Sequence, residues 1–331
     1  MLQLKNNTPF AASMAVMPNE AAIDTLYLVV KATFNIGKQW TLVDKQLPPT
    51  EVDDYWTDDE NSSSIKYASD FHTGKSCSDI IMLGHAYVAN NQQASQLDVA
   101  LRVSKVQKTI RVFGERQWQN GHIGPAKPFK TMAMVYENAY GGVYTIDGKI
   151  VDSEMRNPVG RGFSGQRNTA EMNGILLPNL EDPDNLIREF NQRPTPACFG
   201  ASAASWLPRM NHAGTFDDAW QNTRSPYLPE DFDSRFFNVA HPDLLYPGFL
   251  KGGETVEITN MHPRGNLKFE IPHVKLNADV SLAEKQVSPL FNFETLLIEP
   301  NQLKLSMIWR AAIQCDKQAQ QIGNIKIKIA R

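Results

Sequence analysis

The chain has 331 residues, enough for about two domains or one large all-β body. Its 33 Lys and Arg against 36 Asp and Glu leave a formal net charge of −3, which argues against a dedicated nucleic-acid binder and a polybasic membrane-surface protein. With 42% apolar residues, 9% aromatics and apolar stretches only of strand length, the composition excludes a disordered chain and a transmembrane helix.

The first residues, Lys5 followed by 9–17, mimic a signal peptide only loosely, because the stretch holds a proline and lacks a leucine-rich core. Residues 24–36 are rich in β-branched and aromatic side chains and end at Gly37, which predicts a strand. The acidic and serine-rich stretch 44–64 reads as a solvated loop. Residues 79–88 are almost continuously apolar, as in a strand covered on both faces. Leu97, Val99, Leu101 and Val103 alternate with polar or small residues, and Ile110 and Val112 continue the pattern after a turn at 105–108. These two segments predict a hairpin.

From 114 to 250 the texture changes. Asn120-Gly121, Gly124-Pro125, Gly141-Gly142, Asp147-Gly148 and Asn157-Pro158 mark turns. Short helices are predicted over 184–191, 215–222 and 234–239, the second capped by Thr215. Strand alternation returns in the last quarter, at 256–258, 267–271, 274–280, 303–307 and 325–329. Lys326 and Lys328 on one face of the last segment fit an edge strand. The segment 97–118 is weakly echoed by 293–310, each reading as strand, turn, strand, then Arg and Trp.

The fold class expected is mainly β: two β-sandwich-like halves, 1–115 and 250–331, with a loop-rich central region, 116–249, containing a few short helices. The three regions can also pack as one continuous body.

Motifs for chemistry are sparse. Residues 160–165 match GxGxxG, yet neither a strand before nor a helix after is predicted, so a tight glycine-bearing loop is expected. The seven histidines show no metal-ligand spacing and the three cysteines no CxxC, so no metal site, cofactor or disulfide frame is expected. His241 is the histidine best placed for a functional part. Cys198 sits in an apolar setting that disfavours the thiolate.

The central region mixes arginines, carboxylates and aromatics. A loop-rich segment cannot satisfy its backbone with ladders alone, and arginine bonds to carboxylates and carbonyls are one way to fix it. The same composition also suits a binding surface for an acidic ligand or peptide. The candidate binding residues are Arg116, Trp118, Tyr136, Glu137, Tyr140, Arg161, Phe163, Trp206, Arg209, Asp231, Asp233, Arg235, Phe236 and His241.

Several phrases occur together in order: 113–118 (FGERQW), 136–142 (YENAYGG), 157–163 (NPVGRGF), 177–181 (LPNLE), 213–217 (AGTFD), 228–233 (LPEDFD) and 235–238 (RFFN) leading to Ala240-His241-Pro242. With 7–11, 30–34, Glu294-Thr295-Leu296 and Trp309-Arg310, they make the whole chain resemble the bacterial domain-of-unknown-function 2169 family. Residues 72–78 and Met132-Ala133-Met134 depart from the family pattern locally. The resemblance implies a non-enzymatic cytoplasmic adaptor or chaperone of type VI secretion. Its partners would be a toxin effector and the spike, meaning the VgrG trimer and its PAAR tip, with neither nucleic acid nor membrane involved. It also implies that residues 7–11 belong to the folded body and that the protein starts at Met1. It attaches no catalytic residues to these positions. Two other readings remain at this stage: a hydrolase using the central carboxylates and His241, and a structural component of the secreted spike complex.

Overall fold

The structure is a computed structural model that describes residues 3–330. Its mainly-β class agrees with the sequence: three larger sheets and several two-stranded ribbons carry the chain. No helix among the described residues is long and apolar enough to cross a membrane.

The largest sheet has seven strands. Their order is Leu245–Tyr246, Ser78–Met82, Asn292–Glu299, Lys304–Gln314, Asp24–Asn35 and Ala11–Pro18, with Thr41–Leu42 beside the end of Asp24–Asn35. A five-stranded sheet runs Leu180–Glu181, Val106–Phe113, Gln96–Val103, Thr255–Thr259 and Leu267–Glu270. A four-stranded sheet runs Gln3–Asn6, Ile322–Ile329, Leu276–Leu282 and Lys285–Val287. Each sheet contains strands from both ends of the chain. The regions 1–115 and 250–331 therefore share sheets and do not form one sandwich each, and one apolar core runs through all three sheets.

Asp24–Asn35 shows how the sequence builds the two faces. Leu26, Leu28, Val30 and Ala32 enter the apolar core. On the opposite face Lys31 meets Asp70 at 3.0 Å and Thr33 meets Ser306 at 3.0 Å. On the neighbouring strand Arg310 donates to Glu294 at 2.8 Å. This face is buried as well, under residues from 50–75 and 237–241, and its charges are paired, as burial of charge requires.

The hairpin predicted at 97–112 forms, with Val103 opposite Val106 and the turn at Ser104 and Lys105. The run 79–88 divides into two strands, Ser78–Met82 and His85–Tyr87, in different sheets. Gly84 lies at the break. A Cβ there would stand 2.7 Å from Asn301 Oδ1, the atom that accepts from the His85 N–H at 2.9 Å. Ile322–Ile329 is not the expected edge strand: it lies between Gln3–Asn6 and Leu276–Leu282. Ile325 and Ile327 are buried, while Lys328 reaches Asp279 at 2.7 Å.

Of the three predicted helices, the second is an α-helix at Asp218–Thr223 and the third a 3₁₀ turn at Ser234–Phe237. The N-cap of the α-helix is Asp217, not Thr215: its carboxylate accepts from the Trp220 N–H at 2.8 Å. Residues 184–191 form no helix. There the Glu181 carboxylate takes the Ile187 N–H at 2.7 Å, and Gln192 Oε1 takes those of Arg188 and Glu189. Side-chain acceptors thus hold N–H groups that a helix would use. Ile187 packs into a second apolar cluster with Trp118, Tyr140, Phe163, Met172 and Leu177.

Candidate binding site

A cavity of about 310 Å³ lies where the central region meets the edge of the seven-stranded sheet. Asp79, on the buried strand Ser78–Met82, positions one wall. It accepts from Lys75 Nζ at 2.7 Å, from Asn238 Nδ2 at 3.0 Å and from the Val239 N–H at 2.9 Å. Residues 238–239 are thereby fixed to the sheet, and Ala240, His241 and Pro242 follow along the cavity.

His241 caps the 3₁₀ turn Pro242–Leu244, and its Nδ1 accepts from the Asp243 N–H at 3.2 Å. In the neutral ring the proton therefore sits on Nε2. Nε2 is buried and has no hydrogen-bond partner. Burial, helped by Lys108, pushes the ring pKa down to about 4, against the opposing pull of Asp243, Asp182 and the Pro196 carbonyl. At neutral pH the ring is uncharged.

Several other polar groups around the cavity are engaged. Arg209 donates to the carbonyls of Phe236 and Ser202 and lies over the Phe236 ring, 5.3 Å from its centre. Its burial disfavours the charged form. Arg156 is bidentate to Glu154, both bonds 2.7 Å. Arg235 holds Asp233, whose pKa falls to about 2 through those hydrogen bonds. His212 lies 3.8 Å from the same carboxylate. Tyr136 is fully buried and meets Trp206 edge-on at 5.3 Å. Cys77 is half-buried and burial raises its pKa, so its thiol is not an activated nucleophile. With Pro196, Leu207, Pro208 and Leu245 in the walls, the cavity is a largely apolar recess.

Beside it, residues 209–237 make an excursion over the surface. Met210, Phe216 and Tyr227 are 42%, 56% and 39% exposed. Phe216 packs edge-on against Trp220 at 4.8 Å, and Trp220 Nε1 donates to the Tyr227 carbonyl at 2.8 Å. Gly214, with φ of +78°, lets the chain turn against Pro229 and Asp231, where a Cβ would be 2.9 Å from each. Asp231 holds Thr215 through its N–H at 2.9 Å and its hydroxyl at 2.7 Å.

Of the candidates from sequence, Tyr136, Arg209, Arg235 and His241 line this cavity. Trp206, Asp233 and Phe236 stand behind them. The rest lie elsewhere. Arg116 pairs with buried Glu181 and donates to the Pro178 carbonyl at 3.2 Å. Trp118, Tyr140 and Phe163 form the second apolar cluster. Glu137 accepts from the Ser64 N–H at 2.7 Å and hydroxyl at 2.8 Å. Arg161 donates to the Glu137 carbonyl at 2.9 Å and to Asn179 at 3.1 Å. The glycine loop 160–165 makes a two-residue parallel pairing, Arg161–Gly162 with Tyr140–Gly141, and no helix follows it. Among the described residues no group of three or more His, Cys, Asp or Glu is placed to hold a metal ion.

Sequence reasoning missed Lys75, Asp79 and Asn238, the groups that fix the cavity wall. A Lys and an Asp four residues apart carry no signal of their own outside a helix, and the strand start between them is visible only in the fold.

The fold and site define a mainly-β protein with an apolar recess flanked by exposed aromatic side chains. The chain belongs to the family described as "Uncharacterized protein conserved in bacteria (DUF2169)", which matches residues 21–310. No curated protein and no solved structure matches it.

Proposed function

We propose that this protein is a cytoplasmic adaptor of type VI secretion that holds a toxin effector and presents it to the VgrG and PAAR spike. The observation that carries the reading is the apolar recess together with the exposed Met210, Phe216 and Tyr227 on the segment that leaves its wall at Arg209. Such a site can take an apolar side chain of a partner. Aromatic anchors next to a desolvated pocket are the usual centre of a protein interface, and about 1,600 Å² in total suffices for a specific complex. The secretion context comes from the family resemblance.

The test is affinity purification of the tagged protein from its native cells with the secretion machinery expressed, followed by mass spectrometry. A toxin-like protein and a VgrG or PAAR protein should co-elute. Replacing Phe216 and Tyr227 together by Ala should weaken effector binding at least tenfold, about 1.4 kcal/mol. Recovery of neither protein, or unchanged affinity in the double variant, overturns the reading. A turnover abolished by His241→Ala would favour a hydrolase. The protein in stoichiometric amounts in the secreted particle would favour a structural component.

A further inference from the structure

Among the described residues the buried lysines and arginines are Lys31, Lys75, Lys108, Arg116, Arg209 and Arg310. All but one of them face a carboxylate. Lys31 lies 3.0 Å from Asp70, Lys75 2.7 Å from Asp79, Lys108 2.7 Å from Asp243 and Arg310 2.8 Å from Glu294, while Arg116 pairs with Glu181. Arg209 is the exception. It is 8% exposed, and among the described residues no carboxylate forms an ion pair with it. The acids that favour its charge, Asp53 and Asp79, act from farther away. A guanidinium nevertheless stays protonated at neutral pH.

Hydrogen bonds fix this side chain without neutralising it. Nε donates to the Phe236 carbonyl at 2.9 Å and Nη1 to the Ser202 carbonyl. The third nitrogen, Nη2, bonds no group among the described residues, and it is not sealed from solvent. Arg209 lines the recess, and neither Asp nor Glu is among the described residues that line it. The other arginines of the lining are matched, Arg156 by Glu154 and Arg235 by Asp233. His212 faces the same Asp233 carboxylate at 3.8 Å. Arg209 is thus the one buried charge of the recess without an acid. Burying a charge without a counter-ion is costly, and an anion entering the recess offsets that cost.

We infer that the recess takes the C-terminal residue of a partner chain, with the terminal carboxylate on Arg209 Nη2 and an apolar side chain against Pro196, Leu207, Pro208 and Leu245. This deepens the proposed binding role and rests on the recess being a binding site, not on the secretion context. One unmatched charge calls for a monoanion. The apolar wall calls for an apolar body beside that charge. The volume of about 310 Å³ is about ten times the ~30 Å³ of a water molecule, room for one terminal residue and not for a folded element. A free apolar acid meets these three demands as well, and the surroundings separate the two. The segment that leaves the wall at Arg209 exposes Met210, Phe216 and Tyr227 before the chain rejoins it at Arg235. A chain that ends in the recess has further residues to lay on them, whereas a free acid has none. Chain-end carboxylates are a recurring recognition element. The guanidinium need not move to bind one: Nε and Nη1 keep their carbonyls, so the donor is preorganised.

Cys77 provides the readout. It lines the recess and is partly exposed, while Cys198 and Cys315 are 0% and 2% exposed. Alkylation of the full chain by iodoacetamide, located by mass spectrometry, therefore reports occupancy at Cys77. The probes are N-acetylated tripeptides ending in Leu, Val or Phe, each as free acid and as C-terminal amide, and octanoate. At least one tripeptide acid should slow alkylation of Cys77 at millimolar concentration. Its amide should need at least tenfold more for the same protection, because the charge-assisted bond is lost. Arg209→Gln should bring acid and amide to equal effect. Should that variant fold poorly, the comparison of acid with amide on the wild type carries the test. Equal protection by acid and amide overturns the inference and leaves the recess a pocket for apolar side chains. An acid preference that persists in folded Arg209→Gln overturns it too. Protection by octanoate with none by the tripeptide acids removes the chain end as occupant, and no protection by any acid overturns the inference outright. The adaptor reading stands or falls separately, on co-purification.

Discussion

The neutral ring of His241 makes the stability of this protein sensitive to mild acid. Burial holds the folded pKa at about 4, below the ordinary 6.5 that the ring regains on unfolding. Above pH 6.5 neither state is protonated and the ring contributes no pH dependence. Between 6.5 and 4 the unfolded chain binds a proton that the folded chain refuses, so stability falls as pH falls. A gap of that size amounts to about 3 kcal/mol in total, of which about 2 kcal/mol is lost between pH 7 and pH 4.5. His72, buried beside Lys75 and Arg310 and held well below its ordinary value mainly by burial, adds a loss of the same sign. The contribution of His241 is therefore isolated by difference. His241→Asn keeps an oxygen that can accept the Asp243 N–H and removes the titration. Urea unfolding of both proteins at pH 7 and pH 4.5 should show the wild type losing about 2 kcal/mol more than the variant over that interval. Equal losses, or a larger loss in the variant, would refute the assignment of a buried neutral ring.

Two further outcomes follow from buried contacts. Lys75→Met leaves the Asp79 carboxylate buried without its ammonium and should cost about 3–5 kcal/mol by chemical denaturation, while Lys75→Met with Asp79→Asn should recover part of it; a double variant no more stable than the single one contradicts the pairing. Trp118→Ala empties the second apolar cluster and should cost about 3–5 kcal/mol. Hydrogen exchange should then rise mainly in 116–191, and a uniform rise through the sheets would show that this cluster does not stand apart from the main core.

What could be read in the sequence was local. The strands at 24–35 and 96–113, and the first part of the one at 304–314, follow from alternation and β-branched content, because period two is a property of neighbours along the chain. Shared sheets were not legible, since pairing Ser78–Met82 with Asn292–Glu299 joins segments more than two hundred residues apart. The same blindness made Ile322–Ile329 resemble an edge: its lysines are visible, its two neighbours are not. Residues 184–191 carried helical spacing, but the carboxylate and amide that capture their N–H groups decide the outcome. At the site, the central mixture of Arg and aromatics marked the right region. Burial then sorted it, with Trp118, Tyr140 and Phe163 in one cluster and Tyr136, Arg209 and His241 around the recess.

The arginines explain why recognition falls mostly to other groups. Arg116, Arg161, Arg209, Arg224 and Arg310 each donate to at least one main-chain carbonyl. In the central region, with few ladders, the guanidinium groups of Arg116, Arg161, Arg209 and Arg224 take the place of neighbouring strands. An arginine so bonded cannot turn toward a partner without orphaning the oxygen it satisfies, at about 1–3 kcal/mol for each buried group left unmet. A partner therefore gains most from groups that the fold leaves open. The outward backbone of Ala12, Met14 and Val16 and the exposed rings of Phe216 and Tyr227 meet that criterion. The rings lie on the excursion that leaves the recess wall at Arg209 and rejoins it at Arg235, where the proposed cargo would meet them.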